Sequence, residues 1–388
     1  MTLKHLFPTS KPILNLDFAN SLSLDPRITF TRSTIGTYVD KDGIVQTAAA
    51  DEPRFDYDPE TGESLGLLVE ESRTNKIGTS EDTNVMNSQT NCSVTTDALI
   101  SPDGSLTADT ITFTSAGNLS TSSNNIAIAG SIWTWSVFLK AGTVSEVTID
   151  FNGRAAADVN LSLGTIDQPG SSGGAGAEIK ELSNGWYRAS ITYDATSSIN
   201  RGIRIISGNS GTLHCWGIMV EEGSFPTSYI PTSGTGLVRS PDIAQMTGDN
   251  FSSWYAGDQT TFFVEGGFNH TPPRDAPIFC YGGAQLRAFP DNRLNTVIGG
   301  VTEFATLNVS DWKAYKCAFY LGTDGDQNLA VDGVTKPTTI TNVWDGFDTY
   351  NNLTFSSNNN SLFPNGTISR LAAYNQRLTD AELQTITL

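Results

Sequence analysis

The sequence predicts an all-β protein: tandem jelly-roll or β-sandwich domains after a small β-rich N-terminal region, with one short C-terminal helix. Two patterns carry this. Almost every apolar segment alternates with period two, and turn residues interrupt the chain about every ten positions. The composition agrees. Only 16% of the 388 residues are charged, against roughly 25% in ordinary soluble proteins, and Asn, Ser, Thr and Gly fill the difference. Hydrophobic residues at 38% and aromatics at 10% are enough for packed cores.

Three blocks follow in order. Residues 1–78 hold short strands and tight turns such as DKDG and DPETG, and the polar stretch SRTNKIGTSEDTN marks a boundary. In 79–236 the run SIWTWSVFLKAG puts Trp133, Trp135, Val137 and Leu139 on one face of a strand. WYRASITYD and RGIRIISG obey the same alternation, Trp186 joins the core, and PGSSGGAGA reads as a mobile loop. PTSGTGLVRSPD leads into 237–388, where TTFFVEGGF and WKAYKCAFYLG alternate again. The helix is RLTDAELQTITL: Thr379 and Glu382 form a capping box and Leu383 makes the first apolar contact. No short repeat period is visible, which excludes solenoids and propellers.

The charge balance excludes several partners. With 23 Lys and Arg against 41 Asp and Glu, the net charge is −18. No basic cluster exists to meet a phosphate backbone or an anionic membrane surface. No run of about 18 apolar residues is present to span a bilayer. The N-terminus, MTLKHLFPTSKPILNLDF, has Pro and polar residues where a signal peptide needs an apolar block, so the expectation is a soluble protein without its own export signal. Cys92, Cys215, Cys280 and Cys317 show no C-x-x-C spacing, so zinc is excluded and buried free thiols are expected. His5, His214 and His270 share no motif, and no hydrolytic triad is indicated.

Residues 53–75, PRFDYDPETGESLGLLVEESRTN, raise the question of catalysis, because paired carboxylates cleave glycosidic bonds. Glu70 and Glu71, like Glu221 and Glu222, are adjacent and point to opposite faces of a strand. Asp56, Asp58 and Glu60 alternate, but Pro59 interrupts the ladder and DPETG is a turn. These carboxylates therefore read as turn caps and solvated edges, and no catalytic residue is assigned. Calcium is a weaker possibility: Asp324, Asp326 and Asn328 in TDGDQN carry oxygen ligands at alternate positions, although a hairpin turn explains them equally well. Asp103 and Asp109 are similar candidates. No other cofactor is indicated. The aromatics in polar surroundings are candidates for stacking on sugars. They are Trp254 and Tyr255 in NFSSWYAGDQ, and Trp344, Phe347 and Tyr350 in NVWDGFDTYNN, with Asp345, Asp348 and Asn351 to supply hydrogen bonds. The other reading of these groups is a subunit interface.

From Arg32 to Asn75 the chain resembles a region near the N-terminus of tailed-bacteriophage structural proteins. The carriers are an Arg-Ser start, TYVDKDG, PRFDYDPETG and LGLLVEESRTN, in that order. Residues 79–236 resemble the carbohydrate-binding-like sandwich that often follows, through SPDGSLTADTITFT, WSVFLKAG, NGWYRASITY and WGIMVEEGSFPTSYIPTSG. Residues 237–388 resemble a laminin-G-like, or concanavalin A-like, jelly roll through LAVDGV and ISRLAAYNQRLTDAELQTI. The resemblance implies a virion component assembled in the host cytoplasm: a tail or head fibre, or an adhesin decorating the capsid. Its partners would be other virion proteins and host-surface polysaccharide. A decoration protein that only stabilises the particle is the alternative, and a polysaccharide depolymerase the third. The resemblance also implies a homo-oligomer, a trimer by analogy with phage fibres. Residues 1–78 would then be the virion-anchoring part, buried against symmetry mates or the second block, and 237–388 would fold alone and project outward.

Overall fold

Strand pairing ties the two ends of the chain together. The structure is a computed structural model describing residues 11–388 apart from 122–129, 152, 169–173, 196–201, 256–258, 269, 271–275, 282–283, 299–305, 310–312, 323–325, 340–350 and 357–361. Its described elements are nearly all strands, as the period-two pattern predicts, with the helix Asp380–Ile386 near the C-terminus. Thr379 accepts from the Glu382 N–H at 3.3 Å, Glu382 Oε2 accepts from the Thr379 N–H at 2.8 Å, and Leu383 is buried. Among the described residues no helix is long and apolar enough to cross a membrane.

An 8-stranded and a 7-stranded sheet form one sandwich. At the middle of the larger sheet, Gln259–Phe268 pairs with Gly366–Tyr374. The latter then pairs with two strands from the N-terminal region, Leu14–Asp17 and Ser64–Val69, with Phe55–Tyr57 beyond. Thr29–Thr31 adds to Ile243–Thr247 in the smaller sheet. One core therefore contains Leu14, Leu16, Phe30 and Leu67 alongside Phe262, Phe319, Leu353 and Leu371. Residues 237–388, expected to form a jelly roll of their own, share both sheets and the core with strands of the N-terminal region. One edge of Gly366–Tyr374 pairs with Gln259–Phe268 and, among the described residues, the other pairs with Leu14–Asp17 and Ser64–Val69. Gly66 makes that approach possible, since its φ is +90° and a Cβ there would lie 2.3 Å from the Ile368 carbonyl oxygen. On the outer face, Phe263, Ala318 and Tyr374 pack under the helix residues Leu383 and Ile386.

A 10-stranded sheet occupies most of the second block, and its ends, Thr165–Asp167 and Gly174–Glu181, approach each other. Trp133, Trp135, Val137 and Leu139 share its interior, as the alternation predicts. The intervening Thr134, Ser136 and Phe138 are also buried, which alternation does not predict. Phe138 faces a second, smaller core with Trp186, Trp216, Met219 and Tyr229, covered by Val45 of the hairpin Gly36–Val39/Val45–Ala48. A bulge opposite Ser136–Phe138 permits this. Gly217 occupies it at φ +63°, where a Cβ would lie 2.6 Å from Phe138 Cδ2.

Two polar stretches differ from their readings. Gly174–Ala177, the end of the glycine-rich insertion, belongs to the strand Gly174–Glu181, while 169–173 lie outside the described residues. Arg73–Asn75 is a buried strand paired with Leu237–Arg239 rather than an open boundary. Asn75 explains how polarity is tolerated there. Its amide donates to the Ile218 and Ile230 carbonyls, and its oxygen accepts from the Ile77 and Val220 N–H groups. Cys215, Cys280 and Cys317 are buried free thiols, and Cys92 is half-buried.

Candidate functional site

Where the two β bodies meet, strand ends deliver a set of charged side chains into the interior. Arg32 follows Thr29–Thr31, Arg54 precedes Phe55–Tyr57, and Glu70 follows Ser64–Val69. Arg239 ends Leu237–Arg239, and Asp242 precedes Ile243–Thr247. All five are buried. Arg32 Nη1 donates to Asp242 Oδ1 at 2.9 Å. Arg54 Nη2 bridges Asp242 Oδ2 and Glu70 Oε2, the latter at 2.8 Å. Arg239 Nη1 donates to Glu70 Oε2 at 2.5 Å. Ser228, from the segment after the strand Gly211–Glu222, donates to Glu70 through its N–H at 2.7 Å and its hydroxyl at 2.6 Å. Burial pushes the Glu70 carboxyl up, but Arg239, Arg54 and Ser228 outweigh it and hold the group down at about 2. Buried charges are tolerated only with this degree of pairing. The set clamps the N-terminal region, the second block and the C-terminal sandwich together.

Arg73 extends the clamp. It pairs with Glu71 at 2.7 Å, donates to the Glu222 carbonyl, and lies 4.7 Å from the centroid of Phe225. Phe225 in turn stacks on His270, whose imidazole burial holds near 3 and therefore neutral. Glu221, fully buried, accepts both the N–H and the hydroxyl of Thr227, and burial pushes its carboxyl up.

Beside the clamp lies a cleft of about 320 Å³ with three walls. The N-terminal region contributes Tyr38 and Asp56, the 10-stranded sheet contributes Glu178, Lys180 and Arg188, and the C-terminal sandwich contributes Phe268 and Lys313. Asp56 accepts the Val39 N–H at 2.7 Å, and burial pushes its carboxyl up against the pull of Lys180. Glu178 is half-buried. Burial raises it too, opposed by Lys313, Lys180 and Arg188. Neither the Glu178 carboxylate nor the Lys180 ammonium has a hydrogen-bond or ion-pair partner among the described residues. Arg188 is anchored by the Thr227 carbonyl at 2.8 Å and Ser136 Oγ at 2.9 Å, with its guanidinium 5.4 Å from the Phe138 centroid. The walls thus combine acceptors, a donor and half-buried rings, the furniture of a site for a polar organic ligand.

The residues singled out from sequence fall elsewhere. Trp254 and Tyr255 are half-buried and packed on the C-terminal core: Tyr255 stacks on Phe251 at 4.7 Å, and Trp254 meets Phe251 edge-on at 5.2 Å. Trp344, Asp345, Phe347, Asp348 and Tyr350 lie outside the described residues. Asn351 is exposed, and its carbonyl accepts from the Gly248 N–H, which places it beside the Asp249–Ser252 turn that precedes Trp254. Of the calcium candidates, Asp324 is outside the described residues, Asp326 begins a strand, and Asn328 is buried with its amide donating to Asp380 at 2.6 Å. Asp103 is taken up by Ser101 and Ser105, and Asp109 by the Thr83 and Asp97 N–H groups. No group of His, Cys, Asp and Glu among the described residues is placed to hold a metal ion. Asp58 does cap the DPETG turn, accepting from the Glu60 and Thr61 N–H groups. Asp56 is neither a cap nor a solvated edge, because the hairpin Gly36–Val39/Val45–Ala48 covers it. The clamp and the cleft were both missed. Their signal was present: in a chain so poor in charge, TRS, PRF, SRTN and VRSPD each spend an arginine.

No protein-family model matches the chain, and no curated protein does. Among solved structures, the CBM40 of the Ruminococcus gnavus IT-sialidase, bound to α2,3-sialyllactose, is 12% identical with a TM-score of 0.30, over 34% of this chain and 83% of that one. Botulinum neurotoxin type C, in a structure concerned with its interaction with two ganglioside molecules, is 9% identical with a TM-score of 0.30, over 37% of this chain and 39% of that one. The serotype D/C binding domain is 10% identical with a TM-score of 0.31, over 37% and 40%. Likeness of this degree says nothing about ligands.

Proposed function

We propose that this chain is a structural component of a tailed-bacteriophage virion that presents glycan-binding β-sandwiches to the host surface. One observation carries the reading. Arg32, Arg54, Glu70 and Arg73, which lie in the motifs shared with phage structural proteins, are the residues buried in the clamp. The shared motif is thus the device that fixes one sandwich against the other, and the cleft it frames is the binding site. Weak individual sites suffice when many copies stand on one particle. Homo-oligomerisation, with a trimer expected by resemblance, would serve the same end.

A glycan array probed with the full chain at high surface density tests the binding part. Silence toward every host-surface polysaccharide removes it. A particle-stabilising decoration role is the second reading, favoured by the inward packing of Trp254 and Tyr255, which leaves neither as an open sugar platform. Virions lacking the protein separate the two: failed adsorption with intact heat stability supports the adhesin, and the reverse supports decoration.

A further inference from the structure

We propose that the cleft receives an uncharged sugar residue, whose hydroxyls are accepted by Asp56 and Glu178 and bridged by the Lys180 ammonium, and that it turns away uronic and other acidic sugars. This rests on the glycan-binding reading and names the sugar class.

The first ground is unspent hydrogen-bonding capacity. Glu178 and Lys180 share a strand, Gly174–Glu181, two residues apart, so both side chains leave the same face. Both border the cleft, and the charged group of neither makes a hydrogen bond or close ion pair with a described residue. Asp56, on the opposite wall, takes one N–H from the described protein. A carboxylate accepts at two oxygens and an ammonium donates three hydrogens, so a ligand rich in hydroxyls completes all three groups at once.

The second ground is charge. Asp56, Asp58, Glu60 and Glu178 border the cleft against Lys180, Arg188 and Lys313, while Glu70 is already saturated by the clamp. Arg188 holds Thr227 and Ser136 with its two terminal nitrogens, while its buried Nε has no partner among the described residues. A ligand carboxylate would enter beside like charges in a half-buried site, where screening is weak. A hydroxyl meets no such penalty. Burial raises both Asp56 and Glu178, and the Glu70 carboxylate adds to the cost at Asp56, so a further carboxylate beside Asp56 would deepen a penalty already present. The third ground is shape. At about 320 Å³ the cleft is at the small end for organic ligands, and the half-buried ring of Tyr38 offers a surface for the apolar face of a sugar.

Isothermal titration of the full chain against paired oligosaccharides of one linkage, neutral and uronic, tests this. A neutral member is expected to bind. Glu178→Gln and Lys180→Met should each weaken it tenfold or more without moving the melting temperature, and Lys180→Arg should keep binding within a few-fold. Tighter binding of the uronic member overturns the inference and leaves the glycan reading standing. Neutral binding that ignores Glu178→Gln and Lys180→Met moves the site elsewhere and also overturns it. If no member of either series binds, both readings fall.

Discussion

The clamp and the cleft meet at Glu70 and use the same kinds of charged side chain to opposite ends. In the clamp each oxygen of Glu70 and Asp242 has a donor at hydrogen-bond distance, from Arg32, Arg54, Arg239, Ser228 or the Glu70 N–H. In the cleft Glu178 and Lys180 have none among the described residues. Saturation of both carboxylates makes the first set structural, although the Nε groups of Arg54 and Arg239 are buried without a partner among the described residues. Unspent valence makes the second set a site.

Removing residues 1–78 should break the comparison most violently. It strips the strands paired with Gly366–Tyr374, uncovers the core around Ile368 and Leu371, and leaves Arg239 and Asp242 without their partners. The expected product of 79–388 is insoluble or lacks a near-ultraviolet circular dichroism signal. A soluble fragment with a cooperative melt would show that the C-terminal sandwich closes without these strands.

Arg54→Met comes next. It keeps the volume but takes the shared cation from Asp242 and Glu70 in a buried place. The expected loss is about 3–5 kcal/mol, read as a fall in the urea midpoint. Lys180→Met, in the cleft, should change stability by less than about 0.5 kcal/mol. Equal losses at the two positions would erase the distinction.

The pH dependence of stability sharpens it further. Glu70 is depressed to about 2 from an ordinary value of 4.5, so its contribution is fully present above about 4.5 and is lost as pH falls toward 2. That contribution is on the order of 3 kcal/mol. Urea melts from pH 5 to pH 2 should lose this increment, and Glu70→Gln should flatten the slope. An unchanged slope in the variant would mean another group drives the acid loss.

The strands, the capped helix and the interior tryptophans were legible because periodicity and capping are local. The pairing of Ser64–Val69 with Gly366–Tyr374 was not, because nothing local announces a partner almost three hundred residues away. The clamp escaped for a related reason. Polar residues in SRTN and VRSPD were read as marking the joins between blocks, whereas Arg73, Asn75 and Arg239 are buried, with Arg73 donating to the Glu222 carbonyl, Asn75 to Ile218 and Arg239 to Glu70. Trp254 and Tyr255 reversed the error: their polar neighbours suggested exposure, but the short helix Asp249–Ser252 turns both rings onto Phe251.

The effect expected at Asp56 has the opposite sign from that at Glu70. Burial raises the Asp56 carboxyl above its ordinary 3.8, so the folded state is favoured at low pH and loses that advantage as pH rises through the raised value. At neutral pH the ionised group is a cost that Lys180 and the Val39 N–H only partly offset. Asp56→Asn keeps an oxygen for that N–H and removes the charge. It should leave stability unchanged or raise it at pH 7, with any gain vanishing near pH 3, in thermal melts at the two pH values. Such a gain marks a residue held in place for binding rather than for folding. If Asp56→Asn instead destabilises the protein at pH 7 as Arg54→Met does, Asp56 belongs to the clamp, and the border between the two regions has to be redrawn.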